Sequence, residues 1–289
     1  MMQTWQLYLS TILIWGSTWI AITFQLGTVP VTVSLAWRFG LASLMLWLWL
    51  GWRKLPVRFT LQQHGWLLLL GLCQYGINYA LIYLAEMHIS SGLVAVLFTA
   101  IIGVNLLGSR VFFQIPITRR SAGGALLGML GVALVFLPEL QSLRGDAKTL
   151  QGIGLGLLAA LFASAGNLLS ARNARDNMGV MSGNAVSMAY GAGTMLLVSL
   201  LQGHVPSIPL TVPYVSSLLY LAFFGSVLAF GAYLTLIARI GPAKASYAGV
   251  LIPLVALLLS TFFEDYQWHL SAFFGMALCL SGNVLMLRK

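Results

Sequence analysis

Ten stretches of the chain stay apolar for about the length of a bilayer-crossing helix, roughly 20 residues, and brief polar segments separate them. They run over residues 5–26, 31–52, 65–85, 90–109, 119–137, 151–171, 180–201, 213–238, 243–263 and 267–287. Gly27 with Pro30, Pro116, Pro138, Pro213 and the Gly241-Pro242 pair lie between them and stop or redirect helices. The fifth stretch is short, so it stands steeply or thins the bilayer around it. No connection is long enough for a soluble domain. The pattern predicts an all-α membrane protein of ten transmembrane helices.

The charged residues sort with these boundaries. With the N-terminus in the cytoplasm, that side holds Arg53, Lys54, Arg58, Arg110, Arg119, Arg120, Arg172, Arg175, Arg239, Lys244, Arg288 and Lys289. The outer side holds only Arg144 and Lys148 of the bases, with Glu86, Glu139, Asp146, Glu264 and Asp265. Asp176 is the acid left inside, and Arg38 lies within a span. Both termini are expected in the cytoplasm, with the chain in a bacterial inner membrane. Residues 5–26 are too long for the apolar core of a signal peptide, so the first segment is expected to be retained.

Composition agrees. Of 289 residues, 59% are hydrophobic and 7% charged, with a mean hydropathy of +0.90. A soluble domain carries about a quarter charged residues, so lipid is the expected solvent. The net charge of +9 would suggest nucleic acid in a soluble protein. Here the bases cluster between apolar runs, which excludes that partner. Cys73 and Cys279 fall inside apolar segments and read as packed free thiols. There is no His-Glu-x-x-His pair, phosphate-binding glycine loop or Cys/His cluster. No enzyme, metal or cofactor is expected.

A weak internal repeat runs through the chain. Tyr83 to Ile101 aligns without gaps on Leu236 to Leu254, Ile14-Trp15-Gly16-Ser17 on Leu161-Phe162-Ala163-Ser164, and Ala42–Leu46 on Ala192–Leu196. Each half then holds five spans, with repeats over residues 1–138 and 150–289. Five is odd, so the second copy enters the membrane from the opposite side. The charges agree, since Glu86 aligns with Arg239 and Arg110 with Glu264. Two inverted repeats around a shared midplane site are the frame of many secondary transporters.

Trp15-Gly16-Ser17, Arg38-Phe39 and the run from Gly241-Pro242 to Pro253 resemble the EamA family of the drug/metabolite transporter superfamily. The resemblance covers nearly the whole chain and implies a five-plus-five inverted repeat that moves small metabolites, often outward. Two departures stand in the fourth span. Ala100 occupies a position where members often have proline, and Gly108-Ser109 one where they often have Gly-Glu; the second half keeps Pro253 and Glu264.

Arg38 is the sharpest candidate for function. A charge near a helix centre costs about 2.5–3.5 kcal/mol to insert, and the second-half counterpart is Met188, so symmetry does not demand it. Two readings stand: a contact to an anionic substrate, or a structural cation bonded to backbone and stacked on aromatics. Gln74 and Asn78 are four apart, as are Tyr75, Tyr79 and Tyr83, giving the third span a polar stripe that faces other helices or a wet cavity. Tyr83 reads as an interfacial residue. Trp15 and Trp19, with Ser17 and Thr18 beside them, offer an aromatic wall. Ser164, Asn167, Tyr233 and Ser246-Tyr247 are the second-half candidates. Asn105 and Asn283 are expected to tie helices together.

Pro253 is expected to kink the ninth span and serve a gate. Gly124, Gly128 and Gly131 form a small-residue face for close packing, with a homodimer contact as one use. All four histidines (64, 88, 204 and 269) sit at span ends, no acid lies near a span centre, and Glu86 reads as a solvated end residue. Exchange or potential-driven movement is therefore expected over proton coupling. The expected function is secondary transport of a small molecule, such as an amino acid, purine, organic acid or drug, by alternating access. The competing expectation, a non-transporting membrane subunit, predicts a filled core in place of a polar-lined cavity.

Overall fold

The computed structural model describes residues 2–25, 27, 29–89, 91–141, 145–263 and 268–287. The described residues are helical with no strand among them. In order the helices are α1 (Thr4–Thr23), α2 (Val31–Trp52), α3 (Leu61–Leu70), α4 (Asn78–Glu86), α5 (Ser91–Phe98), α6 (Ala100–Phe113), α7 (Arg119–Val135) and α8 (Leu137–Gln141). There follow α9 (Ala147–Arg175), α10 (Val180–Leu201), α11 (Val212–Tyr220), α12 (Ala229–Ile240), α13 (Pro242–Ala245), α14 (Ala248–Phe263) and α15 (Leu270–Leu287). A π-helical segment, Gly71–Ile77, joins α3 to α4, and another, Leu221–Leu228, joins α11 to α12.

Seven helical runs among the described residues are long and apolar enough to cross a membrane: Val31–Trp52, Leu61–Glu86, Val96–Phe113, Ala147–Arg175, Val180–Leu201, Val212–Ile240 and Pro242–Leu259. The other three expected spans are helical but fall short of that measure. α7 has 17 residues, the apolar run Leu270–Met286 is short, and Trp, Tyr, Gln, Ser and Thr side chains dilute α1. Several helices outrun their apolar stretches because their caps lie further out. Thr60 and Gln63 cap α3 reciprocally, with Thr60 N donating to Gln63 Oε1 at 2.9 Å and Gln63 N to Thr60 Oγ1 at 3.3 Å. Asp146 accepts from Thr149 N at 2.8 Å and so starts α9 four residues before the predicted span. Arg144, Glu264, Asp265, Arg288 and Lys289 of the charge pattern lie outside the described residues.

The helices pack in reciprocal fashion. α2 runs along α10, and α7 along α15. α1 packs on α12 and α14, while α9 packs on α4, α5 and α6. The Gly124 and Gly131 face of α7 meets its match inside the chain. A Cβ at Gly131 would sit 2.7 Å from the Gly275 carbonyl oxygen, and one at Gly282 would sit 2.8 Å from that of Gly124. The small-residue face therefore lets the α7 and α15 backbones touch. It is consumed within one chain, and a homodimer contact does not draw on it.

Candidate functional site

A cavity of about 100 Å³ lies between the halves. Trp15, Thr18, Arg38, Gln74, Asn78, Tyr79 and Phe98 line it from the first half, and Asn167, Phe230, Tyr233, Ser246, Gly249 and Pro253 from the second. A mostly apolar wall with a few polar groups is the usual make-up of a small-molecule site.

Arg38 is 1% exposed. Its guanidinium carbon lies 5.2 Å from the Phe39 ring centre and 4.7 Å from that of Tyr79, so two rings hold the plane of the fork. Nε donates to Ser226 Oγ at 3.2 Å, and Ser226 donates in turn to the Leu221 carbonyl at 2.9 Å. Nη1 meets no acceptor among the described residues. The cation is anchored at Nε, with the Tyr79 and Tyr83 hydroxyls beside it and Nη1 left without an acceptor among the described residues.

The second π-helical segment supplies this anchor. Beside Ser226, the Gly225 carbonyl accepts from Trp15 Nε1 at 3.0 Å, fixing the indole against Phe230 and Tyr233, each with ring centres 4.9 Å away. Asn167 Nδ2 donates to the Tyr233 hydroxyl at 2.9 Å, leaving Asn167 Oδ1 without a donor. Gln74 lies against Gly166 of α9, where a Cβ would overlap its amide. Gln74 Oε1 and Asn78 Oδ1 are likewise buried without a donor among the described residues. Pro253 carries no N–H, so the Gly249 carbonyl one turn earlier lacks its helical donor, and both residues line the cavity.

Among the residues singled out from sequence, Trp15, Thr18, Arg38, Gln74, Asn78, Tyr79, Asn167, Tyr233, Ser246 and Pro253 line this cavity. Four others are spent elsewhere. The Ser17 hydroxyl bonds the Ile14 carbonyl at 2.8 Å and the Tyr220 hydroxyl at 2.6 Å. The Tyr75 hydroxyl donates to Asn184 Oδ1 on α10, while its ring shares Phe39 and Phe230 as neighbours with Tyr79. Ser164 donates to Asn105 Oδ1 at 2.7 Å. Tyr247 is fully buried, its hydroxyl against Gly128 of α7. The Trp19 side chain lies outside the described residues.

Two end residues also differ from expectation. Tyr83 is 1% exposed, not interfacial, and its hydroxyl reaches Gln25 Oε1 at 3.4 Å. Glu86 is half-buried, not solvated, and its Oε1 is enclosed with no donor among the described residues. Asn105 and Asn283 do tie helices, the latter donating to the Tyr8 hydroxyl at 2.7 Å. Phe98 and Phe230 carry no such mark in the sequence. Phe230 lies three residues before Tyr233, on the same helix face, and that spacing is the available signal.

Residues 5–137 and 150–288 each match the model of the EamA-like transporter family. The inner membrane transporter YedA of Escherichia coli strain K12 is 28% identical over 255 residues, covering 86% of this chain and 79% of that protein. A transporter of Archaeoglobus fulgidus is 22% identical over 294 residues and covers 100% of both chains. One crystal structure superposes with a TM-score of 0.79 at 16% identity, covering 98% of this chain and 95% of the other; that likeness is one of fold. The class is that of multi-pass membrane transporters working in a lipid bilayer. Within it, the chain belongs to the EamA-like transporter family.

Proposed function

We propose that the chain is a secondary transporter of small metabolites or drugs, an exporter or exchanger of the inner membrane, working by alternating access between two inverted five-helix repeats. The observation that carries this reading is a cavity whose polar wall draws on both halves, with Thr18, Arg38, Gln74, Asn78 and Tyr79 from the first and Asn167, Tyr233 and Ser246 from the second. A filled bundle core would have favoured a non-transporting subunit.

The repeat reading draws on three further facts. The π-helical segments begin at Gly71 and Leu221, the same offset that relates Ala42 to Ala192. The main packing pairs are kept when the halves are exchanged: α2 on α10 and α7 on α15 map onto themselves, and α1 on α12 and α14 maps onto α9 on α4, α5 and α6. The packing of α9 on α12 has no counterpart of like extent. The family model matches twice, once in each half. Outward movement is favoured by the family likeness alone. The substrate-binding set is then Trp15, Arg38, Gln74, Asn78, Tyr79, Asn167 and Tyr233.

The test needs no substrate. Ala163 lines the cavity; Ala163→Cys, made in a chain with Cys73→Ser and Cys279→Ala, is treated with an impermeant thiol reagent from either side of sealed vesicles. Alternating access predicts labelling from both sides in separate experiments. Labelling from one side alone under every condition overturns it.

A further inference from the structure

We propose that the transported substrate is a small organic anion, a carboxylate on an apolar or aromatic body, which reaches the central cavity through a basic vestibule. The proposal rests on the transporter reading above and names its substrate class.

Two separate observations converge on it. The first is the state of Arg38. Its charge is buried, and among the described residues its Nη1 faces no acceptor and no acid lines the cavity. Glu86 stands about 10 Å further along α4 than Tyr79 and is no part of that wall. A buried cation without a counter-ion is held at a heavy desolvation penalty. A monoanion would leave the complex neutral and supply the planar oxygens that a guanidinium fork grips. A zwitterion would bring a second cation, for which the cavity offers the neutral acceptor oxygens of Gln74, Asn78 and Asn167 but no carboxylate among the described residues. A cation would add like charge to like.

The second observation lies elsewhere in the molecule. A separate cavity of about 680 Å³ is bounded by Arg175, Arg239 and Lys244, with no acid among the described residues of its lining. Asp176, next to Arg175, is tied to Arg172 at 2.7 Å and so is neutralised. Arg239 Nη1 donates to the Met2 carbonyl at 2.7 Å, and the Arg175 guanidinium lies 4.1 Å from the Phe113 ring centre. Neither partner carries charge.

This vestibule lies beyond the central cavity along the same helices. On α9, Asn167 lines the inner space, and Ala171 and Arg175, each four residues further, line the outer one. On α12, Tyr233 is inner and Ile237 outer; from α13 onward, Pro242 is outer and Ser246 inner. Each step is one turn, about 6 Å. A funnel of one sign with low-dielectric walls concentrates the opposite charge, so the path that leads to Arg38 favours anions from its mouth inward.

The probes are phenylacetate, phenylalanine and phenethylamine, which share a phenyl body and differ in charge. Binding of each labelled compound to the purified full chain in uncharged detergent is measured by equilibrium dialysis. Phenylacetate is expected to bind tightest, and Arg38→Gln to weaken it about tenfold to a hundredfold. Arg175→Gln with Lys244→Gln is expected to weaken phenylacetate binding at low salt and flatten its dependence on salt. Selectivity among the three is measured on the unaltered chain, so it decides between the charge classes even where Arg38→Gln does not fold. Equal or tighter binding of phenylalanine or phenethylamine overturns the proposal, as does failure of all three to bind at millimolar concentration. Labelling of Ala163→Cys from both sides would in either case leave the transporter reading standing.

Discussion

The Arg38 side chain owes its position to Ser226, whose hydroxyl accepts from Nε while donating to the Leu221 carbonyl. Removing one partner of a buried, charge-assisted hydrogen bond leaves the other unsatisfied, which costs about 1–3 kcal/mol or more. Ser226→Ala is therefore expected to lower the thermal midpoint of the detergent-solubilised protein. An unchanged midpoint would mean that Nε finds another acceptor and that this anchor is dispensable. At this scale the sequence exposes its polar cavity residues readily. Arg38, Gln74, Asn78 and Asn167 stand out because a polar group in an apolar run needs a reason. Phe98 and Phe230 are silent, since an aromatic residue in a membrane helix looks the same whether it faces lipid, a neighbouring helix or a cavity. Ser17, Ser164 and Tyr75 illustrate the converse. A hydroxyl signals that a partner exists without saying which, and theirs are the Ile14 carbonyl with Tyr220, Asn105, and Asn184.

Among the elements, the helix that approaches the cavity beside Phe98 is interrupted at Thr99, between α5 and α6. Thr99 Oγ1 donates to the Val96 carbonyl at 2.6 Å, a local bond that competes with the helix and bends it. In the alignment of the halves Ala100 falls opposite Pro253, so a threonine-associated break stands beside the position where the other half has a proline. The missing first-half proline argues against matched bends, and the helix break at Thr99 weakens that argument. If the Pro253 bend moves during gating, Pro253→Ala restores the hydrogen bond to the Gly249 carbonyl and stiffens α14. The expected result is labelling of Ala163→Cys that becomes confined to one face of the membrane. Labelling from both faces at the original rates would make the proline a static bend. The π-helical segments have no sequence signal at all. They arise where packing against α10 and α2 decides how many residues a turn must hold.

For the whole molecule, the inverted-repeat reading predicts that both chain ends face one compartment. Epitope tags at the N- and C-termini should both be cleaved by protease added to one face of sealed vesicles. Tags cleaved from opposite faces would remove the inversion, and with it the symmetric pathway. The helical character of the chain was legible from apolar runs and their spacing, and the similarity between Tyr83–Ile101 and Leu236–Leu254 was legible in the residues themselves. The use of Gly124 and Gly131 was legible only as an invitation to close packing. Gly275 and Gly282, which accept it, lie far along the chain.

The sequence by itself determined the solvent, the helical class and where apolar runs begin and end, because hydropathy acts on each residue locally and a lipid interior tolerates no unpaired backbone. It also determined that a cation would be buried. Only the tertiary structure decided which polar groups face one another across the cavity, which are consumed in helix–helix bonds, and that Glu86 and Tyr83 are enclosed. Those outcomes depend on rotation of each helix about its own axis. Rotation is set by contacts between residues distant in the chain, and no local pattern encodes it.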